Sequence, residues 1–270
     1  PARPLHRDRS EKRQKRDRTD SRKLANCLRA GLLRGIYIPS KEQQQDRVLL
    51  RTRVQLTKSL SRVKNRIKAM LSFFGLAIPE ELNRSSRWTN PFKSWLKALD
   101  FEQASARQAL SLHLAQLEQL EALLKQTDRC IVALSEKPAY AEKLKLLRSV
   151  PGVGLLTAMV ILTELGQMSR FNKLEELYNY LGLIPNVYAS ADKEYVGNIS
   201  RRSNRYIRRL LVESAWTAIR FDPALAANYE RLCIRMKPNK AIIRIARQLV
   251  SRIRFVLLNQ KAYEKGVMPA

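Results

Sequence analysis

The chain has 270 residues, 51 of them Lys or Arg and 24 Asp or Glu, for a formal net charge of +27 and an isoelectric point near 10.6. That length allows one large domain or two to three small ones, and a 45% hydrophobic share excludes a disordered polyelectrolyte. No apolar run reaches the ~18 residues that span a bilayer and the first residues are charged, so the expectation is a soluble, cytoplasmic protein with no membrane partner.

The charge calls for a polyanion, and DNA or RNA fits best, although a ribosomal-type protein or a binder of anionic membranes would share it. Cys27, Cys130 and Cys233 stand far apart with no CxxC, which argues against a zinc site or a disulfide framework. His6 and His113 are the only histidines, so chemistry built on imidazole is not expected.

In chain order, residues 1–18 set Arg and Lys between Asp8, Glu11 and Asp17 with almost no apolar period, the pattern of a solvated arm or a loop on nucleic acid. Thr19 caps a short helix over 19–33 with Leu24, Cys27 and Leu28 on one face, followed by an extended Ile36-Tyr37-Ile38. Ser40, with Gln43 in the capping-box position, starts a long helix to Phe74, stopped at Gly75. Its Leu49, Leu56, Leu60, Val63, Ile67, Met70 and Phe74 form the narrow seam of a coiled coil. After a turn holding Pro79, Trp88, Pro91 and Trp95, a second helix over 99–134 repeats the seam, with His113 and Thr127 as polar register residues. The two helices are expected to pair as an antiparallel hairpin.

Pro138 marks a boundary. A compact helical domain is expected beyond it: a helix, a tight turn at 151–154, an apolar helix through Leu165 and a short helix over 174–180. Residues 182–199 read as a loop with strand character around 186–189. Two basic amphipathic helices follow, about 204–220 and 240–258, joined by Asp222-Pro223.

Three places carry possible chemistry. Asp17 and Asp20 stand three apart at a helix start, which aims both carboxylates the same way, as a shared divalent cation requires. The same residues serve equally as helix caps. In the turn Pro151-Gly152-Val153-Gly154, Gly152 and Gly154 leave backbone N–H groups open at a helix N-terminus, a helix-hairpin-helix anion site or else a plain turn between packed helices. Ser190 precedes a run with Arg201, Arg202, Arg205, Arg208 and Arg209 and is placed to attack a phosphodiester whose charge those arginines neutralise. Without a general base beside it, such a serine is also simply solvated.

These segments, in this order, resemble the DEDD insertion-sequence transposases, the bridge-RNA-guided serine recombinases of insertion-sequence family one-hundred-ten. The family's K-x-D-x-x-D-A-x-x-L-A is similar to Lys15, Asp17, Asp20, Leu24 and Ala25, with Ser21 in place of Ala. P-G-[IV]-G stands at 151–154, an R-F pair at Arg170-Phe171, G-L-x-P at 182–185 and the serine element at Ser190. G-x-I-[ST]-K-x-G-N corresponds to 197–204, with Arg201 for Lys and Ser203 for the second Gly.

The resemblance implies a mainly α protein in three parts. Residues 1–39 would be the C-terminal remnant of a RuvC-like (ribonuclease H fold) domain, 40–137 a long antiparallel coiled-coil hairpin, and 138–270 a helical transposase domain. It further implies Mg2+ held by Asp17 and Asp20, Ser190 as a nucleophile forming a phosphoserine link to DNA, a structured guide RNA as partner, and assembly as a homodimer or homotetramer. Ala191 stands where the family usually has Gly, and no strand with the first Asp and the Glu of the acidic tetrad precedes Lys15. The chain alone is therefore expected to be catalytically deficient. Two readings stand beside the recombinase: a non-catalytic nucleic-acid-binding remnant that oligomerises through the hairpin, and a magnesium-dependent junction nuclease that uses water instead of serine.

Overall fold

The chain divides into two compact units, Pro1–Ser40 and Lys41–Ala270. The computed structural model describes residues 17–33, 35–83, 88–190, 193–199 and 203–264, with the backbone alone at 186–190, 193–196 and 198. Asp8, Glu11, Lys15, Ala191, Asp192, Arg201 and Arg202 lie outside the described residues.

In the first unit, α1 (Asp17–Arg29) starts two residues before the expected cap at Thr19. Asp17 and Asp20 in its first turn and Arg29 in its last each oppose the nearer end of the helix dipole. Gly31, at φ +65°, closes the helix, and the Leu32 amide reaches back to Cys27 O at 3.0 Å. None of its residues is buried, Leu24 and Leu28 included.

The second unit opens on α2 (Lys41–Phe73), stopped by Gly75 at φ +65°, with α3 (Asn90–Ala98) and α4 (Ala104–Ser135) following. Helices α2 and α4 pack along one another in opposite directions, as two buried clusters show. Leu50, early in α2, shares one cluster with Ile131 and Leu134, late in α4, while Val63, Ile67 and Leu71 share the other with Leu110, Leu114 and Leu117. Phe92 and Leu96 of α3 fill the second cluster, and Lys93 and Lys97 pair with Glu121 and Glu118 of α4. The stretch around Pro91 was expected to be a turn. Pro91 instead sits in the first turn of α3, where its missing N–H costs no hydrogen bond. Thr127, buried in α4, donates to Leu123 O at 2.7 Å and so satisfies its hydroxyl within the helix.

Beyond these lie α5 (Pro138–Ser149), α6 (Leu155–Leu165), α7 (Leu174–Leu181), β1 (Pro185–Ser190), β2 (Lys193–Ile199), α8 (Arg205–Phe221), α9 (Pro223–Arg235) and α10 (Pro238–Asn259). Every residue of α6 from Ala158 to Leu165 is buried; α5, α8 and the near ends of α2 and α4 pack around it, and α10 packs on α5 and α8 within the same core. Strands β1 and β2 form an antiparallel hairpin from Pro185 opposite Ile199 to Ser190 opposite Lys193, with an irregularity between Pro185 and Val187. Here the sequence suggested a loop with strand character at 186–189, a stretch that lies within β1.

Asp222-Pro223, expected to be a joint, is the start of α9. Asp222 Oδ1 accepts the Leu225 amide at 3.1 Å, and Pro223 occupies the first turn. The protein is mainly helical, in line with the periodicity of its sequence. Among the described residues, no helix is long and apolar enough to cross a membrane.

Candidate functional site

Helix α6 ends inside the protein, so its last carbonyls need partners other than water. Thr163 O accepts from Gln43 Nε2 at 2.9 Å and from Arg47 Nε and Nη2 at 3.2 Å, and Leu165 O accepts from Arg170 Nε at 3.1 Å. The Glu164 side chain, 1% exposed, receives Arg51 through two bonds of 2.7 and 2.9 Å and Asn204 Nδ2 at 2.9 Å. Arg47 Nε stands 3.5 Å from the same carboxylate.

Asn204 caps α8 in turn, its Oδ1 accepting the amides of Tyr206 and Ile207 at 3.2 and 3.4 Å. One buried carboxylate thus ties the beginning of α8 to α6 and to the near end of α2. The hydrogen bond to Glu164 holds the Arg51 guanidinium above its ordinary pKa, and burial pushes the Tyr206 hydroxyl up to about 12. Glu164 was missed in the sequence; its only signal is that it is the single charged residue in an otherwise apolar helix.

Of the expected anion-binding residues, Arg205 is exposed in the first turn of α8. Arg208 Nη1 donates to Gly182 O at 3.2 Å, and exposed Arg209 pairs with Glu213 at 2.9 Å. Gly182, at φ +68°, caps α7, and a Cβ there would lie 2.2 Å from Ser203 Oγ and 3.0 Å from Arg208 Nη1. The G-L-x-P element and the segment leading into α8 therefore pack against each other.

Gly152, at φ +80°, lies against the backbone of α8: a Cβ would stand 2.2 Å from Ser214 O. This close approach accounts for its glycine without any ligand. Gly154 is exposed at the start of α6, with open space around it. The Arg170-Phe171 pair is also held by packing, with the guanidinium 4.1 Å from the Phe171 ring and 4.7 Å from the Tyr180 ring.

Ser190 is the last residue of β1, opposite Lys193. It lies five positions beyond Pro185 at the foot of the hairpin, about 17 Å of strand. The chain gathers Gly182, Ser203 and Arg208 near that foot and carries Ser190 to the other end. Asp17 and Asp20 are exposed one turn apart on α1. Their hard oxygen donors suit Mg2+, which typically takes one or two carboxylates together with water and substrate phosphate. Among the described residues, no three His, Cys, Asp or Glu side chains come together as a metal cluster.

A family profile described as "Transposase IS116/IS110/IS902 family" matches residues 144–230, and an IS110-type DEDD transposase profile matches residues 2–75. The protein y4qE of Sinorhizobium fredii (strain NGR234), whose name describes it as a transposase, is 28% identical over 213 residues, which are 79% of this chain and 50% of that protein. The transposase for insertion sequence element IS1111A of Coxiella burnetii is 26% identical over 271 residues, 94% of this chain and 70% of its own. The 43.6 kDa protein of insertion element IS110 in Streptomyces coelicolor is 34% identical over 125 residues, 46% of this chain and 31% of its own. The chain thus spans half the length of the first relative, and 70% and 31% of the other two. Two profiles of one family are thus matched in succession, and in both regions the chain is similar to the IS110-type DEDD insertion-sequence transposases.

Proposed function

We propose that this chain is the greater part of a recombinase that exchanges DNA strands at the ends of an insertion sequence, with Ser190 as nucleophile and a structured guide RNA choosing the DNA. The observation that carries the reading is the order of the two family regions, one holding Asp17 and Asp20 and the other Ser190. In this reading residues 1–39 belong to a RuvC-like domain, 40–137 form a coiled-coil hairpin that pairs copies into a dimer or tetramer, and 138–270 form the transposase domain.

The chemical step balances as follows. Ser190 Oγ gives up its proton and bonds to phosphorus, and the bond from phosphorus to the leaving deoxyribose oxygen breaks as that oxygen takes up a proton. A hydroxyl of the incoming strand then reverses the exchange, restoring the serine and joining the new strand. Arg205, with Arg201 and Arg202, neutralises backbone phosphates flanking that bond. Arg208 and Arg209 act less directly, since the first holds the Gly182 carbonyl and the second pairs with Glu213. Mg2+ held by Asp17 and Asp20 would supply charge stabilisation at the reacting phosphate. The far end of a strand suits a nucleophile that meets the acids of another copy.

The test uses the transposase containing this chain, its element ends and its RNA. Ser190→Ala should abolish both the covalent DNA–protein adduct and strand exchange while DNA binding stays within about twofold, and Asp20→Ala should abolish exchange. Undiminished adduct in Ser190→Ala would exclude this nucleophile. DNA cleavage that survives Ser190→Ala but not Asp20→Ala would point to attack by water.

A further inference from the structure

Helix α2 carries a polar ridge on the side away from α4. Val63, Ile67 and Leu71 mark its packed face, and at 100° per residue Arg51, Gln55, Lys58, Arg62, Asn65 and Arg66 fall on the opposite side. All six are exposed. The carboxylates of α2 are Glu42 and Asp46, so the helix holds none from Arg47 to Phe73. Arg47 and Arg51 pair with Glu164, and Arg53 with Asp128, whereas Lys58, Arg62 and Arg66 have no carboxylate partner among the described residues.

A helix face that serves only solubility usually mixes both signs, as α4 does with Glu118, Glu121 and Asp128 near Lys125 and Arg129. Three cations at successive four-residue steps repel one another instead, which a polyanion laid along them relieves. The span from Arg51 to Arg66 is about 22 Å at 1.5 Å per residue.

The ridge is continuous with the candidate site. Arg51, at its near end, shares the Glu164 carboxylate with Asn204, and Asn204 caps α8 immediately before exposed Arg205. We infer that α2 lies along the sugar–phosphate backbone of double-stranded DNA flanking the reacting bond, extending the contact that begins at Arg205. Lys58, Arg62 and Arg66 neutralise phosphates, and Gln55 and Asn65 donate to them without reading bases. The occupant is DNA because the inference rests on the reading of the protein as a DNA recombinase.

Binding of the full chain to a duplex of about 30 base pairs, measured across a salt series, tests it. Each phosphate contact contributes about 0.9 to the slope of log affinity against log salt. The triple variant Lys58→Gln, Arg62→Gln, Arg66→Gln should therefore reduce the slope by about 2 to 3. Arg62→Lys with Arg66→Lys should keep it, and thermal melting should show each variant folded. An equal loss of charge on α5, through Lys143→Gln, Lys145→Gln and Arg148→Gln, should reduce the slope by less than about 1.

A ridge variant that matches wild type or the α5 variant overturns the inference, as does a loss confined to duplex RNA. Failure of the serine mechanism leaves these slopes unchanged and is read separately from the covalent adduct.

Discussion

Gly152 shows how a residue chosen for its chemistry can owe its identity to packing. At φ +80°, with Ser214 O 2.2 Å from where a Cβ would stand, alanine meets both the left-handed backbone penalty and a collision with the backbone of α8. Gly152→Ala should cost about 2–5 kcal/mol in denaturant unfolding, combining roughly 1–2 for the backbone with 1–3 for overpacking. Gly154→Ala, at an extended φ of −82° with open space around it, should stay within about 0.5 kcal/mol. Equal costs at the two positions would remove the packing account.

Asp222 gives a pH dependence at the same scale. Its side chain is fully buried, bonded to Arg252 at 2.5 Å, the Tyr263 hydroxyl at 2.7 Å and the Leu225 amide at 3.1 Å. Burial raises its pKa, but the Tyr263 and Leu225 hydrogen bonds and the charge of Arg252 outweigh burial and leave it below the ordinary carboxylate value. The stability it contributes is therefore present above that ordinary value and lost as pH falls through the depressed one. Tyr263 works in the opposite direction. Burial and the bond to Asp222 push it up to about 12, so between about pH 10 and 12 the folded chain keeps a proton that the unfolded chain gives up, and stability falls as pH rises. Denaturant midpoints across pH should show both slopes, with Asp222→Asn flattening the acid one and Tyr263→Phe the alkaline one; unchanged slopes in these variants would contradict the assignment.

Among the elements, α2 and α4 were legible because apolar residues recur along them at steps that only a helix puts on one face. Helices α3 and α9 were hidden by prolines that begin helices as readily as they end them, and nothing local at Pro91 or Pro223 says which. The β-hairpin gave only weak strand character at 186–189, since apolar and polar residues do not alternate regularly along its two short strands. The α2–α4 pair has two separate apolar clusters, and only the nearer one merges with the core around α6. The distal cluster should thus open on its own, so that amides near Ile67 and Leu114 exchange with solvent faster than those of α6 in native-state hydrogen exchange. Equal protection would show a single cooperative unit.

For the whole molecule, the net charge of +27 is legible in composition alone, and the ordered motifs located the segments around α1, the 151–154 turn and α8. What the sequence hid was division of labour among similar residues. Arg205 is exposed at the surface while Arg208, three positions on, is fixed to the end of α7. Glu164 and Arg51, separated by more than a hundred positions, carry no pattern that links them before folding.

Their contact sets how forces travel through the fold. Gln43, Arg47 and Arg51 clamp the root of α2 to the end of α6, so α2 and α4 together behave as a cantilever fixed at one end. Any pull on its far end bears as torque on Glu164, and from there on the cap of α8. Mechanical load at the tip is delivered to the very turn that presents Arg205.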